Sequence, residues 1–256
     1  MHVIVCGTAH EVAVRAADLI AARVRRGPVT LGLATGGTPQ GTYRELIRRH
    51  REDGLSFART TAFTLDEYVG LAPSHDQSYR ATILRDFVDH VDLPLSSLHT
   101  PRGDAPDPAD EARRYEESLA RAGGVDLQIL GIGTNGHIGF NEPASSLASP
   151  TTVRALTRQT RTDNARFFGH EPVPRLCITQ GLGTISKARE ILLLAVGGGK
   201  ARAVRNMVEG PVSARCPASV LQFHARTTVL LDPGAAAELE YLEDYREAAR
   251  LLHERG

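Results

Sequence analysis

DLQILGIGTNGHIGFNEPASSL, residues 126–147, begins as a largely apolar run, breaks into glycines and ends in polar residues gathered around one histidine. Residues 127–132 show no alternation, which is how a strand buried on both faces of a parallel sheet reads. The second half of the stretch cannot be core. Thr134, Asn135, His137, Asn141 and Glu142 crowd together, spaced by Gly131, Gly133, Gly136 and Gly139, so backbone can approach a ligand while polar side chains converge on it. A loop of this kind at the carboxyl end of a strand is where open α/β sheets bind their ligands.

The same succession recurs on either side. Residues 29–34 (VTLGLA) form a second buried strand that runs into TGGTP, residues 35–39, and a helix over about 39–50 with Pro39 in its first turn. Residues 60–65 lead straight into Asp66, Glu67 and Tyr68, and residues 191–196 (ILLLAV) lead into GGGK, residues 197–200, and a helix to 208. Further strands are expected at 3–6, 151–156, 176–179 and 227–231, and further helices at 8–27 behind a Thr8 cap, 77–90, 111–121, 163–168 and 235–253. Residues 94–108 read as a proline-rich surface connection. Strands alternating with helices throughout imply one α/β domain, residues 1–256, with an open, mostly parallel sheet and helices on both faces. The polar segments that come after the strands then meet along one edge, although strand order is not readable.

Thirty basic residues balance thirty acidic ones, which argues against nucleic acid or a membrane surface as the main partner. Cys6, Cys177 and Cys216 lie far apart without a C-x-x-C pair, so neither a disulfide framework nor a zinc site is expected, and a reduced, cytoplasmic setting is implied. No segment has the pattern of a signal peptide or the length of a membrane span. No cluster has metal-ligand spacing, and no serine sits in a nucleophile elbow.

Four strand-end segments carry the candidate chemistry. Thr35, Gly36, Gly37 and Thr38 lead into a helix N-terminus and form a nest of donors for an anion such as phosphate, although taken alone they read more readily as an ordinary turn. Asp66 and Glu67 point to different sides of their strand, so at most one faces the site while the other makes structural hydrogen bonds; a solvated acid pair is the simpler alternative. His137, flanked by glycines, has Asn135 and Glu142 at hand as orienting partners for acid/base work. Lys200 is one of only two lysines in a chain that otherwise uses arginine, which suits a point charge on a phosphate or simply an exposed helix start.

Taken together, LGLATGGTPQGTY (31–43), FTLDEYVGL (63–71), LGIGTNGHIGFNEPASSL (130–147), TRTDNARFF (160–168), ITQGLGTISKARE (178–190) and PASVLQFH (217–224) resemble the glucosamine-6-phosphate deaminase family, in order and over nearly the whole chain. The resemblance implies a three-layer α/β/α Rossmann-like fold and conversion of glucosamine 6-phosphate and water to fructose 6-phosphate and ammonia, a hydrolytic deamination in amino-sugar catabolism. It implies no cofactor and no catalytic metal. By position, Asp66 matches the base that moves a proton between C2 and C1. His137 matches the ring-opening histidine, with Asn135 and Glu142 in support, and Gly36, Gly37, Thr38, Arg166 and Lys200 match the phosphate-binding set, with Thr35 in the same loop.

The partner implied is thus a small amino sugar phosphate, and a homo-oligomer is among the expected states, since the family runs from monomers to hexamers. Two other readings stand beside this one: a hydrolase like the related 6-phosphogluconolactonases, against which Asp66 and the NEP sequence speak, and a sugar-phosphate sensor without catalysis. Some members carry Asp where this chain has Asn135. An amide cannot be the ionised partner of an imidazolium, so the supporting carboxylate here has to be Glu142. Members activated by N-acetylglucosamine 6-phosphate use serines like Ser145 and Ser146 with basic residues beyond them. Here Arg154 is present while Thr152 and Ala155 are not basic, so that control is not expected.

Overall fold

The apolar runs that lack alternation become the middle of one parallel sheet in the computed structural model, which describes residues 1–253. In chain order, β1 (His2–Val5) and α1 (Ala9–Arg25) are followed by β2 (Val29–Leu33), α2 (Gly37–Asp53), β3 (Thr60–Thr64), β4 (Asp66–Tyr68) and α3 (Tyr79–Asp86). Then come β5 (Leu98–His99), α4 (Pro108–Arg121), β6 (Leu127–Leu130), β7 (Thr152–Ala155), α5 (Arg158–Phe168), β8 (Leu176–Thr179) and α6 (Leu182–Ile185). The chain continues through β9 (Glu190–Ala195), α7 (Ala201–Val208), β10 (Thr227–Leu231) and α8 (Leu242–His253).

Seven strands in the order β1-β10-β9-β6-β2-β3-β5 form the parallel sheet, and helices flank it. Every residue of β2 and β6 is buried, the polar Thr30 and Gln128 included. From β2 the chain steps outward through β3 to β5, then returns to lay β6 on the other side of β2 and steps away through β9 and β10. The order therefore reverses between β2 and β6. At such a switch point the connections leave in opposite directions and open a crevice at the carboxyl ends of the strands. The 35–38 loop comes after β2 and the His137 loop after β6, so both border that crevice.

The helices form as their caps and stripes dictate. Thr8 caps α1 by accepting the Glu11 amide at 3.1 Å, and Val12, Ala13, Ala16, Ala17, Ile20, Ala21 and Val24 make its buried face. Asp107 caps α4 by accepting from Ala109 at 2.9 Å, with Pro108 in its first turn.

The structure corrects several sequence expectations. Asp66 to Tyr68 is no loop: the segment is β4, which pairs antiparallel with β8, and β8 pairs with β7, to give a second, three-stranded sheet. Residues 98–99 supply the edge strand β5 inside the proline-rich connection. α2 starts at Gly37, two residues ahead of the Pro39 expected to open it, and α5 starts at Arg158 rather than 163, behind a Thr157 cap. Residues 235–241 precede rather than belong to α8, because Asp232 accepts from Ala235 N at 2.8 Å and closes a turn there. Among the described residues no helix is long and apolar enough to cross a membrane, no group of three or more His, Cys, Asp or Glu side chains could hold a metal ion, and all three cysteines are free and buried.

Candidate active site

β6, β9, β2 and β3 are neighbours in the sheet, and their carboxyl ends carry the His137 loop, residues 197–200, residues 35–38 and Asp66. In the His137 loop the imidazole lies flat over Gly133: a Cβ there would stand 2.2 Å from the ring Cε1. Only glycine leaves space for this pose. His137 Nδ1 lies 2.7 Å from Asn135 Oδ1, Asn135 Nδ2 donates to Glu142 Oε2 at 2.8 Å, and Glu142 Oε2 is itself 3.6 Å from Nδ1.

Donor counting fixes the hydrogen-bond directions of this relay. An ionised carboxylate only accepts, so Asn135 must turn its NH2 toward Glu142 and its oxygen toward the imidazole. That oxygen also only accepts, so Nδ1 carries a proton, and in the neutral form of the ring the lone pair falls on Nε2. Burial alone would raise Glu142. The imidazole of His137, the Thr160 hydroxyl and Asn135 outweigh burial and hold the carboxyl at about 2. The carboxylate support for His137 thus reaches the ring largely through the amide, and Asn135 transmits orientation where an aspartate would have added charge.

The two carboxylates at the start of β4 separate cleanly. Glu67 accepts the backbone N–H groups of Tyr68, Tyr79 and Arg80 at 2.8, 3.0 and 3.0 Å, which ties the start of α3 to β4. Burial still raises it, against those three bonds. Removing this acceptor strands the donors: Glu67→Ala is expected to cost about 3 kcal/mol or more, a fall in Tm of roughly 6–12 °C read by calorimetry. Asp66 has no such donors. Burial, then the neighbouring Glu67 charge, push its carboxyl well above the usual carboxylate range. A Cβ on Gly139 would lie 3.5 Å from Asp66 Oδ2, which locates the His137 loop against this carboxylate. Asp66 is the single carboxyl here poised as a strong base once ionised.

The anion-seeking segments lie around them. Gly36 sits at φ 102° as the residue before α2, with no side chain capping the helix, so the first amides of α2 lack a side-chain acceptor. Lys200 is half-buried, and burial presses its ammonium below the ordinary value; Asp163 opposes this and Arg166 adds to it. Arg166, on α5, is exposed and stacks over Phe167, 4.7 Å from its ring centre. Two cations that disfavour one another are relieved by a dianion between them.

Sequence reasoning missed the residues that join these parts. The Thr157 hydroxyl approaches Glu142 Oε1 at 3.1 Å, the Thr160 hydroxyl donates to the same oxygen, and Asn164 Nδ2 donates to Tyr68 OH at 2.8 Å. Asp232 holds the 197–200 loop by accepting from Gly197 N at 3.0 Å. A threonine at 157 is a usable helix-start signal that the expected start at 163 passed over, and nothing local shows that the Thr157 and Thr160 hydroxyls also serve Glu142.

Residues 6–230 match the family model described as glucosamine-6-phosphate isomerases/6-phosphogluconolactonase. A glucosamine-6-phosphate deaminase of Rhodococcus jostii (strain RHA1) is 55% identical over 249 residues, 97% of this chain and 96% of that protein. One of Corynebacterium aurimucosum is 56% identical over 246 residues, 96% of each. A solved structure described as a monomeric glucosamine-6-phosphate deaminase superposes with a TM-score of 0.91 at 45% identity, covering 93% of this chain and 100% of that one. A 6-phosphogluconolactonase from Leishmania guyanensis superposes at 0.72 with 23% identity, covering 91% of this chain and 97% of that one, a likeness of fold alone.

Proposed function

The chain belongs to the family of glucosamine-6-phosphate isomerases and 6-phosphogluconolactonases, and from that premise we propose that it is a glucosamine-6-phosphate deaminase. The observation that carries the reading is the buried, donor-poor Asp66 carboxylate set against the His137–Asn135–Glu142 relay. Opening the sugar ring requires a proton to move between the O1 hydroxyl and the ring oxygen, a task for an imidazole with a lone pair on Nε2. Asp66 then takes the C2 hydrogen while a proton passes from the substrate's ammonium to O1, leaving an enolamine between C1 and C2, and Asp66 returns its proton to C1. The product is an iminium at C2. Water adds to it, ammonia leaves and the ketone of fructose 6-phosphate remains, so the net change consumes one water and is hydrolytic in balance.

The amides of Gly37 and Thr38, with Lys200 and Arg166, hold the phosphate in this scheme, with Thr35 and Gly36 completing the loop around it. That clamp places C2 of a small substrate beside Asp66. A lactonase needs no base at C2 and leaves the Asp66 environment without a use.

The direct test measures ammonia and fructose 6-phosphate from glucosamine 6-phosphate beside 6-phosphogluconolactone. Ammonia release at enzymatic rates is expected from the first, and lactone hydrolysis without ammonia release would defeat the proposal. Lys200→Ala is expected to raise KM about 30- to 100-fold while kcat at saturation stays within about three-fold, because a charge on the non-reacting phosphate contributes to ground and transition states alike.

A further inference from the structure

We propose that Thr160, in the first turn of α5, is a positioning residue for the acid/base histidine: by holding Glu142 Oε1 it turns Oε2 toward Asn135 and so fixes His137 as the Nδ1–H tautomer. The proposal rests on the deaminase reading for its kinetic readout only. Thr160 is 5% exposed, and its hydroxyl donates to Glu142 Oε1, which the Thr157 hydroxyl also approaches at 3.1 Å. The other oxygen, Oε2, accepts from Asn135 at 2.8 Å. One oxygen of Glu142 therefore belongs to α5 and the other to the His137 loop.

A carboxylate held at one oxygen cannot swing about its side-chain torsions, so its second oxygen keeps one direction. That direction selects the amide orientation of Asn135, and the amide selects the imidazole tautomer. Without Thr160, Oε1 of Glu142 is left with the single, longer contact to Thr157; the carboxylate is then less firmly held, Asn135 can flip, and an amide NH2 facing Nδ1 would stabilise the opposite tautomer, with the proton on Nε2 where the lone pair is needed.

α5 makes this more than a local brace. The same helix carries Arg166, and its Asn164 donates to Tyr68 OH at 2.8 Å, two residues beyond Asp66 on β4. One rigid element thus reaches the anion-seeking cation, the relay carboxylate and the strand of the C2 base. Thr160 is the residue by which α5 grips the relay, and its contribution should separate from that of Arg166.

Thr160→Val keeps the shape and removes the donor. The expected result is a fall in kcat of about ten-fold with KM within about two-fold of the parent, and recovery of kcat in Thr160→Ser, which restores the hydroxyl. Nitrogen NMR of the His137 ring in the ligand-free protein is expected to show Nδ1–H in the parent and in Thr160→Ser, and mixed tautomers in Thr160→Val. The NMR arm needs no substrate. If the parent released no ammonia, the deaminase reading alone would fall while the tautomer comparison still decided the role of Thr160. Parent-like kcat with an unchanged tautomer in Thr160→Val overturns the proposal, as does a rise in KM with kcat intact, which would leave α5 as a carrier of Arg166 only. Should Thr160→Val not fold, Thr160→Ala, which inserts no extra bulk, provides the same comparison.

Discussion

Asp66→Asn is expected to lower kcat by about 10³-fold or more, and at the same time to make the folded protein harder to unfold at neutral pH. Both effects have one origin. Burial, followed by the Glu67 charge, raises the Asp66 carboxyl well above its ordinary value, and no hydrogen-bond donor offsets them. In the unfolded chain the same carboxyl ionises in its usual range. As pH rises through that range the unfolded state gives up its proton while the folded state retains it, so stability declines until the folded-state value is passed. The cost is absent in acid, where both states are protonated, and fully present above the raised value. An isosteric amide never ionises and escapes it, with a gain at neutral pH that shrinks to nothing in acid. The same shift governs catalysis in the parent: only the ionised carboxylate takes a proton from C2, so kcat/KM should climb on its acid side through a value displaced upward from the carboxylate range. A calorimetric Tm series from acid to neutral pH, run beside the ammonia assay, checks both. Loss of turnover with a lower Tm at every pH would identify Asp66 as structural, the role that Glu67 fills.

The contrast between these neighbours shows what was readable in the chain and what was not. The central strands of the parallel sheet were legible because burial on both faces leaves few polar positions, as in ILLLA, and the glycine-rich loops after them were legible because a site needs close backbone approach. The second sheet was not. β4 is three residues long and two of them are carboxylates, so its composition reads as a loop; it exists because Glu67 finds three backbone donors and because β8 pairs with it, both set by distant residues. Strand order was equally hidden, and with it the reason the 35–38 loop and the His137 loop share a crevice. At the site, the identities of Asn135, His137 and Glu142 were visible, but the hydrogen-bond directions among them were not. The sequence made Asn135 look like a deficiency beside an aspartate. Its geometry makes it a two-sided adaptor, accepting from the ring and donating to the carboxylate. Thr157 and Thr160 drew no notice in the sequence, where the helix was expected only from 163, and their task lies across the site at Glu142.

Gly133→Ala is expected to remove about 10²-fold from kcat while leaving the fold nearly unchanged, and Gly131→Ala, two residues earlier in the same loop, is expected to do neither. A methyl group at Gly133 would meet the His137 ring at 2.2 Å from Cε1 and 2.3 Å from Nδ1, whereas one at Gly131 meets nothing within 4 Å. Neither glycine has a positive φ, so backbone strain does not confuse the comparison. Because the obstacle is a side chain, the ring moves and the main chain stays. Ordinary contact distances of about 3.5 Å or more demand a shift of over 1 Å, enough to break the 2.7 Å bond from Nδ1 to Asn135 and to misplace Nε2. The decisive experiment is a double-mutant cycle. In a His137→Ala background the ring is gone and the new methyl has room, so Gly133→Ala should cost nothing further. Additive losses in that cycle would mean that Gly133 acts through the backbone, and a parent-like kcat in Gly133→Ala alone would mean that the imidazole does its work from a different position than the one held over Gly133.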